Sequence, residues 1–170
     1  MLRLLALTFA TVLAGQAHAH GFHLQVKGPL TVRNSFDGAG CHGDNQRPAM
    51  RWTGAPAATR SFAITVHDPD AGGAGWWHWV VFDLPRSLHG LSSGAPVPAA
   101  SRSSHNDFGP VGWGGPCPPT GDAPHHYVFT VYALDVDVLP LPSGASATTA
   151  DAAIRRHALG QARATLTYGR

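Results

Sequence analysis

Residues 61–84 read SFAITVHDPDAGGAGWWHWVVFDL. Ser61 to His67 is a clean strand pattern, with Phe62, Ile64 and Val66 on one face. It stops at Asp68-Pro69-Asp70, and a Gly-rich loop follows to Gly75. Trp76 to Leu84 is aromatic and β-branched throughout, the composition of a strand buried on both faces, and Pro85 ends it. A third strong strand runs from Tyr127 to Leu134, with Tyr127, Phe129, Val131 and Ala133 on one side. Around these lie weaker signals. Phe22 to Val26 alternates and ends at Gly28-Pro29. Leu30 to Phe36 reads as a second short strand, and Ala164 to Tyr168 as a last one. Residues 37–51 and 86–124 read as loops, the second long enough to be functional. Residues 148–159 favour a helix capped by Thr148 or Thr149, with Arg155, Arg156 and His157 near its C-terminal end. Short strands, many turn residues and one late helix predict a mainly β, antiparallel sandwich with a C-terminal helix. There is no βαβ alternation.

The chain has 170 residues and 13% charged residues, with formal net charge +2. Glu is absent and Lys27 is the one lysine, so no basic run exists to track a phosphate backbone, and nucleic acid is not an expected partner. Arg3, the apolar run from Leu4 to Leu13, and Ala17-His18-Ala19 have the layout of a secretory signal. Residues 1–19 are therefore expected to be removed, leaving residues 20–170 as one exported domain, periplasmic or secreted, without a membrane span. Cys41 and Cys117 both lie in that domain. In an oxidising compartment one disulfide is the simplest pairing, and two buried free thiols are the alternative.

Three polar clusters sit at the ends of the three strongest strands: Asp68-Pro69-Asp70, His78 among three tryptophans, and His125-His126-Tyr127. His125 and Tyr127 are two apart and share a strand face, whereas His126 faces the other way. Between them, Gly114-Gly115-Pro116-Cys117-Pro118-Pro119 has few conformations and exposes backbone N–H groups. Imidazole, phenol and backbone donors in such a set suit a small anion, with the Asp residues orienting the imidazoles. Asp68 and Asp70 read either as direct ligand contacts or as loop-shaping residues.

The ordered motifs resemble the phosphatidylethanolamine-binding protein family, which includes the Raf kinase inhibitor proteins, and in particular its bacterial branch. They are Cys41-x-Gly43-x-Asn45-x-x-Pro48-x-x-x-Trp52, Phe62-x-Ile64-x-Val66-x-Asp68-Pro69-Asp70 and His78-Trp79-Val80-Val81-x-x-Leu84-Pro85. Asn106-Asp107-Phe108-Gly109, Gly114 to Pro119, and His125-x-Tyr127-x-Phe129-x-Val131-Tyr132-Ala133-Leu134 follow in order. The resemblance implies a Greek-key β-sandwich and a pocket for phosphate or a phospholipid head group. Carried over by motif, its residues are Asp68, Asp70, His78, Gly115, Pro116, His125 and Tyr127. A homodimer or another protein partner is also implied. Two positions depart: Gly72 stands where relatives carry Pro, and Arg47 where they carry Ser.

The leading functional reading is a non-catalytic binding or regulatory protein. The alternatives are an inhibitor of a partner kinase or protease, and a periplasmic hydrolase using His and Asp. Against the hydrolase, no nucleophile elbow and no zinc spacing is present. No cofactor and no metal site is expected. The one metal pattern worth weighing is His20, first after cleavage, with His23: an amine and an imidazole bind Cu(II), but no fold context for copper accompanies them, and coincidence is the favoured reading.

Overall fold

A computed structural model describes residues 21–170; the expected signal segment and His20 lie outside the described residues. The strands are β1 (His23–Val26), β2 (Asp37–Gly38), β3 (Cys41–His42), β4 (Met50–Thr53), β5 (Ser61–Asp68) and β6 (Trp76–Pro85). β7 (Gly90–Leu91), β8 (Arg102–Ser103), β9 (His125–Leu134), the helix α1 (Ala147–Arg156) and β10 (Ala158–Tyr168) complete the chain. A five-stranded sheet has the order β10-β9-β5-β6-β8, a three-stranded sheet the order β1-β4-β7, and β2 and β3 form a separate pair. The described strand pairings are antiparallel.

Period-two alternation builds two cores on the large sheet. One face of β5 and β9 sends Phe62, Ile64, Val66, Tyr127, Phe129, Val131 and Ala133 against Trp52, Met50 and Leu91 of the small sheet. The other face packs Ala63, Val80, Phe82, Tyr132 and Leu134 against Ala147, Ala150, Ala153 and Ile154 of α1. The result is a sandwich with a helix as a third layer. Each fully buried aromatic or branched side chain contributes roughly 1.5–3 kcal/mol. The small alanines of α1 let that helix lie close to the sheet.

Four local expectations change, the first being that the stretches read as loops, 37–51 and 86–124, carry the two-residue strands β2, β3, β7 and β8 and the start of β4. Leu30 to Phe36 is no strand: Val32–Asn34 forms a single 3-10 turn. Asn34 closes it, accepting from Thr31 N at 2.9 Å while its Nδ2 donates to Gln46 O at 2.7 Å. The cap of α1 is Ser146, whose Oγ accepts from Thr149 N at 3.1 Å, and the helix ends at Arg156 with His157 beyond it. The last strand is 11 residues long, because β9 supplies a partner for nearly all of β10.

The β5–β6 ladder carries two irregularities. Phe62 pairs with Leu84 and Ile64 with Val81, which leaves an extra residue on β6. Asp83, with φ of 60°, occupies that stretch. Its buried carboxylate accepts from Leu139 N at 2.8 Å and Arg102 Nε at 2.6 Å. Val66 pairs with Trp79 and His67 with Trp77, so His78 is left over between them. Strict alternation would turn His78 toward α1 with Val80; a bulge re-aims it to the side of Trp79.

Candidate functional site

β5 ends at Asp68, which is 2% exposed. Its Oδ1 accepts from Asp70 N at 2.8 Å, closing the turn that stops the strand. Its Oδ2 pairs with His125 Nδ1 at 2.7 Å, across from the start of β9. Asp70 turns to the other side of β9, where its Oδ2 accepts from His126 N at 2.7 Å and from His126 Nδ1 at 2.8 Å. The backbone bond from His126 and then the side-chain bond hold the Asp70 carboxyl below its ordinary range.

His78, 2% exposed, donates Nδ1–H to the carbonyl of Gly114 at 2.8 Å, and Gly114 N donates back to His78 O at 2.9 Å. A carbonyl only accepts, so this bond fixes the proton on Nδ1 and leaves Nε2 for a ligand. The strap after Gly114 is clamped from below. A Cβ on Gly115 would meet Asn34 O at 1.9 Å, so only glycine lets the strap come that close. Gly115 N donates to Asn45 Oδ1 at 2.8 Å, and Pro116 O accepts from Phe36 N at 3.0 Å and Ser35 Oγ at 2.9 Å. Next along the strap, Cys117 is disulfide-bonded to Cys41. Asn106 and Asp107 shape the loop before it: Asp107 Oδ2 accepts from Trp77 N at 2.7 Å. Phe108 is thereby set edge-on to His78 at 5.6 Å and stacked on Phe36 at 4.0 Å.

These elements enclose a cavity of about 530 Å³. Asp68, Asp70, His78 and His125 line it, together with Ala39, Ala71, Gly72, Trp76, Phe108, Cys117, Pro118, Pro119 and Asp122. Gly115, Pro116 and Tyr127 are buried and are not among the lining residues. Tyr127 is 1% exposed, its ring 5.0 Å from that of His78. Its hydroxyl is buried without a hydrogen-bond partner in the protein. Asp122 was not legible as a site residue, although its place three residues before His125 at the strand entry is the signal that points to it; its Oδ2 lies 3.7 Å from His125 Nε2. Phe108 was visible only as part of a motif. His126 is exposed, as its alternation requires.

Burial pushes the His78 pKa below its ordinary value, so this imidazole is neutral near pH 7. Burial also opposes charge on His125, but the hydrogen bond and charge of Asp68, aided by Asp70 and Asp122, outweigh it and raise the pKa. Tyr127 is pushed up, first by burial and then by the Asp68 charge, and stays a neutral O–H. The lining thus carries three carboxylates against two imidazoles, with no Arg or Lys. No Ser or Thr lines it, and Cys117 has no free thiol. Among the described residues no group of three or more His, Cys, Asp or Glu could hold a metal ion, and no helix is long and apolar enough to cross a membrane. His23 is exposed at the start of β1.

The family model described as phosphatidylethanolamine-binding protein matches residues 24–169 of the chain. The UPF0098 protein YbcL of Escherichia coli is 40% identical over 146 residues, covering 82% of this chain and 80% of YbcL. The UPF0098 protein YbhB of the same organism is 39% identical over 145 residues, covering 82% of this chain and 91% of YbhB. The crystal structure of YbcL, described as a new member of the mammalian PEBP family, superposes with a TM-score of 0.83 at 37% identity, covering 88% of this chain and 98% of that one. The PEBP homolog CT736 of Chlamydia trachomatis gives a TM-score of 0.74 at 28% identity, covering 88% and 98%.

Proposed function

Since the chain belongs to the phosphatidylethanolamine-binding protein family, a family of binding proteins, we propose that it is a non-catalytic binding protein whose cavity takes the phosphate of a small zwitterionic head group such as phosphorylethanolamine. The observation that carries this reading is the meeting of His78 and His125, from two different strands, in one cavity with carboxylates at its edge. His125, whose Nδ1 is held by Asp68, offers Nε2–H to a phosphate oxygen when charged, and His78 offers its Nε2 once a proton is supplied there. Three carboxylates and two imidazoles leave the lining short of positive charge, which disfavours a bare dianion and favours a ligand that brings its own cation. Asp70 and Asp122 are the half-exposed acids suited to an ammonium group. We extend the proposal to a periplasmic or secreted location. It is supported by the apolar run and small-residue site at the N-terminus, by the disulfide, and by the lipoprotein name that the relative LppC of Mycobacterium tuberculosis bears.

NMR titration of the histidine side chains tests the reading. Inorganic phosphate and phosphorylethanolamine are each expected to shift His78 and His125 together. Phosphorylethanolamine should bind about two- to fivefold tighter, the worth of one partly exposed ion pair. The pair of substitutions His78→Asn and His125→Asn keeps donors for Gly114 O and Asp68 while removing both Nε2 atoms. It should abolish phosphate binding read by isothermal calorimetry with the circular dichroism unchanged; a double variant that still binds would refute the pocket.

The proton ledger predicts the pH dependence. Free His78 is neutral and offers a lone pair at Nε2, so a phosphate oxygen can bond there only if a proton is taken up by the imidazole or carried in by the phosphate. Apparent affinity should therefore rise as pH falls from about 8 to 6, by up to about tenfold per unit. His125, its pKa raised by Asp68, stays charged over the lower part of that window. Isothermal calorimetry in buffers of different ionisation enthalpy reads the proton directly. At about pH 8, where the free phosphate is a dianion, binding without proton uptake would sink this prediction.

A further inference from the structure

His125 meets a carboxylate at each ring nitrogen. Asp68 Oδ2 holds Nδ1 at 2.7 Å, whereas Asp122 Oδ2 stands 3.7 Å from Nε2, beyond hydrogen-bond length. Nε2 has no hydrogen-bond partner, yet it is not one of the buried unpartnered atoms, so solvent reaches the one donor that His125 can offer a ligand. The two acids are held differently. Asp68 is buried and fixed by its bonds to His125 and to Asp70 N. The Asp122 side chain is 52% exposed, and His125 is its one polar neighbour among the described residues. The backbone around it, by contrast, is pinned. Asp122 N donates to Pro119 O at 3.4 Å and Gly121 N to Arg170 O at 3.1 Å. Arg170 in turn donates from Nε to Pro118 O at 2.6 Å and from Nη1 to Gly40 O at 2.7 Å. A pinned backbone keeps the carboxylate beside His125, and a side chain without hydrogen bonds can leave by a change of rotamer.

We infer that the Asp122 carboxylate is a built-in competitor for the His125 Nε2–H, one that makes the cavity reject a bare anion and admit an anion that carries its own cation. The inference rests on the phosphate-binding reading above. A phosphate oxygen and the Asp122 carboxylate are both negative and are drawn to the same proton, so inorganic phosphate binds against a repulsion. The ammonium of a zwitterionic ligand offers Asp122 an ion pair in exchange and draws the carboxylate off Nε2. Selectivity then comes from a contact that opposes the wrong ligand as well as one that favours the right ligand. Asp122 lies outside the motifs that carry the family resemblance. The acids within those motifs are bonded elsewhere: Asp68 to Nδ1 of His125, Asp70 to His126 and Asp107 to Trp77 N.

Isothermal calorimetry with sodium phosphate and with phosphorylethanolamine, at constant pH and ionic strength, compares the unaltered protein with Asp122→Asn and Asp122→Ala. Inorganic phosphate should bind both variants about three- to tenfold tighter. Phosphorylethanolamine loses an attraction and a repulsion together and should change by less than about twofold, so its preference over phosphate disappears. NMR titration of free His125 should show a lower pKa in both variants, because one of the acids that raise it is gone. Asp137→Asn removes an exposed acid outside the lining and should leave both affinities unchanged, which separates the local effect from net charge. Tighter phosphate binding in both Asp122 variants upholds the competitor role. Phosphate affinity that is unchanged or weaker, or that rises in the Asn variant alone through its new amide donor, overturns that role and leaves the phosphate-binding reading standing. No binding of either compound to any of the three proteins overturns the reading itself, and the competitor role with it.

Discussion

Replacing Asp68 by alanine is expected to lower the free energy of unfolding by about 3–5 kcal/mol, the cost of breaking a buried ion pair from one side. The Asp68 and His125 side chains are 3% and 8% exposed, and their 2.7 Å contact joins the end of β5 to the start of β9. Removing the carboxylate leaves an imidazole in a buried place, where desolvation favours its neutral form, and frees Asp70 N from the turn it closes. The pH dependence should change with it. In the native protein the His125 pKa is raised above the unfolded value near 6.5. A raised pKa contributes stability that is fully present below about pH 6.5 and is lost as pH rises through the folded value. Asp68→Ala should remove that component, flattening the curve of stability against pH above neutrality. Urea denaturation at several pH values, with NMR titration of His125, measures both. A loss under about 1 kcal/mol, or a His125 pKa still raised, would show that the pair does not hold the strand ends.

Reduction of the Cys41–Cys117 bond, or its replacement by two serines, should cost about 2–4 kcal/mol. The sequence separation is 76 residues, for which the chain-entropy relation gives about 4.5 kcal/mol as an upper figure. The bond also has a local task. Ala39 and Cys117 line the cavity, and the disulfide ties the β2–β3 pair to the strap that follows His78's partner Gly114. Ser35 and Phe36 still hold Pro116 after reduction, so the fold should survive while the wall formed by Ala39 and Cys117 to Pro119 loosens. Thermal unfolding with and without reductant reads the stability; phosphate titration of the reduced protein reads the wall. Equal stability in the two states would remove the structural role, and unchanged phosphate affinity would remove the local one.

Much of the fold was legible because its signals are local. Phe62, Ile64 and Val66 alternate, as do Tyr127, Phe129, Val131 and Ala133, and both sets do face the core between the sheets. The grouping of His125 with Tyr127 and the outward turn of His126 follow from the same period of two. Boundaries were less legible. Thr148 and Thr149 look as good a cap as Ser146, and only the helix's seat on the sheet chooses among them. The weak pattern of Leu30 to Phe36 lost its strand reading because Asn34 finds partners at Thr31 and Gln46.

By itself the sequence determined the class of the fold, the identity of the polar groups at the strand ends, and the pair of cysteines. Alternation and residue chemistry are properties of a strand taken alone. Tertiary structure alone decided where those groups point. His78 would face the helix by its own periodicity, and it reaches the cavity because the pairing of β6 with β5 skips it. Asp122 enters the lining beside His125, and Arg47 goes inward to the carbonyls of Ser92 and Ala95. Register, bulges and burial arise between segments distant in the chain, where no local pattern records them.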